Sequence, residues 1–239
     1  MKLLYYLAAF GNSNLERKRE ILFHNLNYIF NDINENFSIA INFYDINDDI
    51  KFAIKQLLFI ENIYIYEKQG VLTELFLTNN YLDSNINLYD YIIFILDDVK
   101  IININIKNMI EIKNKHKIEI LSPKINNASH SFMYTEQNLT LNNKLEFFLY
   151  LLTPKDFFKF CSIHTIKNKW MWGVDYLFGY YKIRAGLINT YVAQHELRDS
   201  NASGEAWNLA CDYLTEKTPY TSFHDIIDPP VYEVIAEYV

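Results

Sequence analysis

A chain of 239 residues, half of them hydrophobic and 16% aromatic, carries enough apolar side chain for one sizeable core, which excludes a mostly disordered protein. Its formal net charge of −7 argues against a general affinity for nucleic acid backbones, which need a basic footprint. Cys161 and Cys211 are too few for a disulfide framework and lack CxxC spacing, so reduced thiols and a cytoplasmic location are expected.

Taken along the chain, Lys2 to Ala9 reads as a first buried strand. The N-terminus faintly imitates a signal peptide, but Gly11-Asn12-Ser13-Asn14 follows as a turn and then a charged helix begins. That helix runs from near Leu15 to Ile29, with Leu15, Arg19, Leu22, Leu26 and Ile29 near one face. The basic cluster Arg17-Lys18-Arg19 is expected on its solvated side. Phe37 to Tyr44 is a second strand, Asp45-Ile46-Asn47-Asp48 turns into a short helix through Leu58, and Ile63 to Glu67 is a third strand. Gln69 to Leu72 opens another helix that runs to Leu77. Strands alternating with helices through the first hundred residues predict a parallel α/β sheet.

The fourth strand, Tyr91 to Leu96, is a run of bulky apolar side chains that stops abruptly at Asp97-Asp98. Such a run fits a strand buried on both faces, and ligand sites in open α/β sheets lie at strand ends of this kind. Two hard oxygen ligands there suit Mg²⁺ or Mn²⁺, and a divalent ion suits a diphosphate. A pair of solvated turn aspartates is the equal alternative. Beyond it come a helix near Ile104 to Lys115, a strand near Ile118 to Leu121 closed by Ser122-Pro123, and a polar stretch from Asn126 to Asn143. Lys144 to Leu152 reads as a long apolar strand holding one carboxylate, Glu146, which needs a partner or water there. His130 is expected at the surface. Thr153 and Pro154 mark an N-cap and first helical position.

Lys169-Trp170-Met171-Trp172-Gly173-Val174-Asp175 is the second unusual segment. Two tryptophans beside a glycine suit a loop wall that packs on a flat ring and lets backbone approach a ligand. Asp175 opens a helical pattern, where a carboxylate is either an N-cap or a general base. Ile183 to His195 reads as a turn, a short strand and a histidine able to ligate metal. The last part, from about Asn201, carries scattered aromatics and the turn Asp228-Pro229-Pro230. No apolar run reaches the length of a bilayer span.

In this order the motifs resemble the GT-A fold glycosyltransferases, of the small bacterial and viral type. Leu96-Asp97-Asp98-Val99 resembles the DxD element, Trp172-Gly173 the glycine loop, Val174-Asp175 the xED element, and His195 the C-terminal histidine. The first acidic position of the family pattern is Leu96 here, a departure. The resemblance covers roughly residues 1–200. It implies a GT-A-like (Rossmann-like), mostly parallel central sheet flanked by helices. It divides the chain into a domain over 1–200, with a nucleotide-sugar half (1–121) and an acceptor-side half (122–200), and a C-terminal extension over 201–239 packed on that domain.

The resemblance further implies an inverting, metal-dependent transferase, moving a sugar from a nucleoside-diphosphate sugar to a hydroxyl of a glycan or related acceptor in glycan biosynthesis. Asp98 and His195 would hold Mn²⁺ or Mg²⁺, and Asp97 would contact ribose or sugar hydroxyls, or the metal through water. Asp175 would be the base, Gly11, Asp45 and Gly173 would line the donor site, and Trp170 and Trp172 would stack on the acceptor. Two other readings stay open: a non-catalytic nucleotide- or sugar-binding protein, and a metal-assisted phosphoester hydrolase or nucleotidyltransferase.

Overall fold

The computed structural model describes residues 1–10, 14–32, 36–43, 48–57, 63–67, 84–196, 204–226 and 233–234. Gly11, Asp45, the helix expected through Leu77 and the Asp228-Pro229-Pro230 turn lie outside the described residues.

The first half is built as its alternation demands. Strands β1 (Lys2–Phe10), β2 (Asn36–Phe43) and β3 (Ile63–Glu67) are linked through α1 (Leu15–Asp32) and α2 (Asp48–Leu57), and β4 (Tyr91–Leu96) follows. β1 pairs in parallel with both β2 and β4, and β2 with β3, giving the order β3-β2-β1-β4. β4 is central: Ile92 to Ile95 are at most 1% exposed. Its alternate side chains point to opposite faces. Ile93 meets α1 through Tyr28 and Ile29. Phe94 stacks on Phe147, which in turn packs on Phe160 of α4 (Pro154–Ser162). Helical cover on both faces is why this strand is uniformly apolar rather than alternating.

The second half departs from the parallel pattern. Among the described residues it adds β5 (Val99–Asn103), α3 (Ile106–Lys115), β6 (Ile120–Asn126), β7 (Leu139–Asn142), β8 (Leu149–Leu152), β9 (Ala185–His195), α5 (Gly204–Lys217) and β10 (Glu233–Val234). The sheet is ten-stranded, in the order β10-β7-β9-β6-β8-β4-β1-β2-β3, with β5 attached to β9. β8 runs antiparallel to β4 and β6, and β9 antiparallel to β5 and β7, while β6 and β9 are parallel. The central sheet is thus mixed, parallel on one side and largely antiparallel on the other.

Several elements differ from their sequence expectation. The strand expected from Lys144 starts at Leu149, because residues 144–148 have no ladder partner over most of their length. The polar stretch contains β7, and β6 runs on through Pro123 to Asn126. The helix expected from Ile104 is preceded by β5. Asp175 opens one three-residue 3₁₀ turn, Val174–Tyr176, and no longer helix. The α4 start is as expected: Thr153 accepts from the Asp156 amide, and the Asp156 carboxylate accepts from the Thr153 amide. That reciprocal cap is worth about 1 kcal/mol.

The C-terminal residues share the main core. Tyr213, Leu214 and Ile226 are buried with the sheet residues, and the Tyr213 hydroxyl donates to the Ile163 carbonyl at 2.6 Å. No described helix is long and apolar enough to cross a membrane.

Candidate functional site

The Asp97-Asp98 turn is fixed by what the chain does next. Instead of returning beside β4, the chain crosses to the far part of β9, where Val99 pairs with His195. β9 has two neighbours on one side: β7 along Ala185 to Ile188, then β5 along Val192 to His195. The ladder ends with the Glu196 amide donating to the Asp98 carbonyl at 2.9 Å. The other edge of β5 is closed by side chains of α1. Asn25 donates to the Val99 carbonyl and accepts from the Ile101 amide, at 2.8 and 2.9 Å. Tyr28 does the same for Ile104. A buried strand edge needs such partners, and supplying them from α1 locks the turn to the helix.

The result is a convergence. Asp98 Oδ2 lies 3.1 Å from His195 Nε2. His195 Nδ1 faces the Asn127 carbonyl at 3.3 Å while Nε2 faces Asp98, so the protonated ring donates from both nitrogens. Burial pushes the His195 pKa down, but the hydrogen bond and charge of Asp98, the Asn127 carbonyl and the charge of Glu146 outweigh it, and the net shift is upward. Asp98 Oδ1 is buried and has no hydrogen-bond partner among the described residues.

These residues fit a divalent ion. Cis ligands of an octahedral ion at about 2.1 Å stand about 3 Å apart, close to the observed Oδ2 to Nε2 separation. A carbonyl behind the distal ring nitrogen is the usual orienting partner of a ligating histidine. Among the described residues no group of three or more His, Cys, Asp or Glu could enclose an ion. An ion held by this pair would take other ligands from phosphate oxygens and water, as is common for Mg²⁺.

Asp97 is engaged differently. It forms an ion pair with Lys18 of α1 at 2.8 Å, with both side chains nearly buried. Arg17 pairs with Glu196 at 2.6 Å and with Glu20 at 2.7 Å. The basic cluster expected on a solvated face is thus turned in part toward the site: Lys18 is largely covered, while Arg17 and Arg19 stay exposed. Charge in the sequence could not reveal this, because the partners lie 79 and 179 positions away.

Asp175 sits across a continuous bridge from the Asp98–His195 pair. The Leu145 amide donates to the Asp175 carbonyl at 3.1 Å. One residue on, Glu146 is 7% exposed and accepts from the Ser129 and His130 amides at 3.0 and 3.3 Å. Two further on, the Phe148 ring packs on His195 at 4.5 Å, and the Phe148 carbonyl accepts from Leu96. Tyr176 closes the loop by hydrogen bonding to His130 Nδ1 at 3.0 Å. Residues 127–130 and 145–148 therefore tie Asp98 and His195 to Asp175. His130 is no surface histidine: it stacks on Phe132 at 5.1 Å. Although the Asp175 residue is half-buried, dense packing around its carboxyl, and next the charge of Glu146, push its pKa up to about 7. Backbone hydrogen bonds at Gly173, Asp175 and Tyr176 pull the other way.

Gly173 has φ +78° and sits under the Phe223 ring; a Cβ there would stand 2.2 Å from Phe223 Cζ. Gly173→Ala is expected to cost roughly 2–4 kcal/mol, from the left-handed backbone and the clash together. Chemical denaturation checks this, and unchanged stability would mean that the Phe223 turn yields freely. Trp170 and Trp172 flank the buried Met171 and are both exposed.

No protein-family model and no curated protein matches the chain. Solved structures do. Over 90% of its length the chain superposes on GalNAc-T7 solved with UDP, GalNAc and Mn²⁺, with a TM-score of 0.66 at 9% identity, covering 47% of that chain. It superposes likewise on TarS of S. aureus, with a TM-score of 0.57 at 10% identity, covering 39% of that chain. A shorter TarS, residues 1–349 with UDP-GlcNAc, matches with a TM-score of 0.53 at 11% identity over 66% of its length. The fold is GT-A-like, and the chain spans about half or less of the first two of these chains.

Proposed function

We propose that the protein is a metal-dependent, inverting glycosyltransferase that moves a sugar from a nucleoside-diphosphate sugar to a hydroxyl of a glycan acceptor. The observation that carries this reading is the link through residues 145–148 between a carboxylate–imidazole pair and a second carboxylate of raised pKa. Fold likeness to structures holding UDP, UDP-GlcNAc and Mn²⁺ supports it.

Asp98 and His195 would hold Mn²⁺ or Mg²⁺, which when bound supplies Lewis-acid stabilisation of the departing diphosphate. Asp97 offers its carboxylate to ribose or sugar hydroxyls, and Lys18 beside it keeps positive charge near the phosphates. Asp175 takes the proton of the attacking acceptor hydroxyl on the face opposite the leaving group, which inverts the anomeric centre. A base with a pKa of about 7 is half-ionised at neutral pH and strong enough to accept that proton. Glu146 keeps Asp175 basic by its negative charge. Residues 1–121 form the donor half and 122–200 the acceptor side, with Trp170 and Trp172 at its rim.

A melting-temperature screen of nucleoside diphosphates and nucleotide sugars, with and without Mn²⁺, tests this. One nucleotide with Mn²⁺, at about 100 times its Kd, is expected to stabilise by about 2.7 kcal/mol, or roughly 5–10 °C for a chain of this size. Equal shifts without metal, or none with any nucleotide, would sink the proposal.

A further inference from the structure

All three tryptophans of the chain, Trp170, Trp172 and Trp207, are exposed, at 40%, 38% and 51%. Indole is the largest apolar side chain, and three left in water on neighbouring segments call for a ligand that covers them. Their placement is ordered. Trp207 lies on the first turn of α5, and its ring contacts that of Phe223 at 5.5 Å. Phe223 occupies the space beside Gly173 and meets Tyr176 at 5.8 Å, edge on. Gly173 directly follows Trp172 and stands two residues before Asp175. Aromatic faces therefore run from the C-terminal segment to the carboxylate assigned as base.

The surface is braced. Lys169 pairs with Glu205 and Lys167 with Glu216, each at 3.1 Å, fastening the tryptophan loop to α5. The turn that holds Phe223 is closed by its own side chains: Asp225 accepts from the Ser222 amide at 2.7 Å and the Thr221 hydroxyl at 2.8 Å, and Ser222 accepts from the His224 amide. Rings held in this way lose little freedom when a ligand covers them.

We infer that Trp207 and Phe223 extend the acceptor site, and that the acceptor is an uncharged oligosaccharide whose successive pyranose rings lie along these aromatic faces. The C–H face of a pyranose is flat and apolar while its rim is polar, which matches exposed rings bordered by Glu205 and Asn208. Two successive ring contacts, Tyr176 to Phe223 and Phe223 to Trp207, suit more than one sugar unit. The formal net charge of −7 disfavours a polyanion. The inference rests on the acceptor-side reading of Asp175.

The test titrates the full chain with chitotetraose, cellotetraose and maltoheptaose, following indole fluorescence, beside a separate titration with UDP and Mn²⁺. At least one oligosaccharide is expected to quench saturably. Its Kd should rise about tenfold in Trp207→Ala and recover partly in Trp207→Phe. An unchanged melting temperature in both variants shows that they are folded. No quenching by any oligosaccharide, or a Trp207→Ala titration that overlays the parent's, overturns the inference. UDP binding without oligosaccharide binding defeats the acceptor surface alone. Oligosaccharide binding that depends on Trp207, with no nucleotide bound, upholds the surface and defeats the transfer reading.

Discussion

Asp175→Asn is expected to reduce sugar transfer about 10²–10⁴-fold while leaving nucleotide and metal binding at the parent's level. The substitution keeps shape and an acceptor oxygen for the backbone groups around it, and removes only the basic lone pair. The pH dependence makes the assignment specific. Burial first, and the charge of Glu146 second, raise the carboxyl from 3.8 to about 7. A base must be deprotonated to act, so kcat/KM is expected to fall as pH drops through about 7, far above the usual carboxylate range. Glu146→Gln removes the neighbouring charge and should move that limb toward lower pH. Stability carries the opposite sign. Between 3.8 and about 7 the folded state binds more protons than the unfolded state, so stability declines as pH rises through this window. Asp175→Asn removes that slope, and the variant should gain on the parent between pH 5 and pH 8 in chemical denaturation. Full transfer by the Asn variant, or an acid limb near 4, would remove Asp175 as base.

The Asp97-Asp98 strand end was legible because β4 is buried on both faces, and a chain so committed has to change character sharply where the sheet stops. The Thr153-Pro154 start was legible because caps are local: donor and acceptor lie three residues apart. His195 could be found, but only as a histidine after a strand; its partner in the pairing, Val99, is 96 positions earlier. What sequence could not reveal depends on such distant pairing. β5 is short and half exposed, and its two edges are completed by β9 and by side chains of α1, neither of which lies nearby in the chain. Residues 144–148, with Leu145, Phe147 and Phe148 apolar, satisfy the same pattern as a strand, yet burial does not require a ladder, and this segment instead carries Glu146 between two sites. Lys18 illustrates the limit for charges. Three basic residues at the start of a helix look solvated until the fold sets distant carboxylates against two of them.

Asp98→Ala is expected to abolish metal-dependent binding of nucleoside diphosphates, a loss of at least 100-fold in affinity. The argument begins with how few protein ligands are available. Asp98 and His195 are the donors that converge among the described residues, so the alanine variant leaves one imidazole, a neutral ligand. A divalent ion also needs negative charge from the protein, and Asp97 is unsuited to replace it because Lys18 already balances that carboxylate. Removing a partner that merely orients a ligand costs 10–100-fold in metal affinity, and removing the ligand itself should cost more. Calorimetric titration of UDP against parent and variant, each with Mn²⁺ and with chelator, separates the roles. The parent should lose affinity on chelation, whereas Asp98→Ala should show the weak, chelator-insensitive affinity from the start. Asp97→Ala should keep its response to Mn²⁺, with a smaller loss. If instead Asp97→Ala loses the metal response and Asp98→Ala retains it, the ligand is the other aspartate, and the Asp98–His195 contact is an ion pair that closes the β5–β9 ladder.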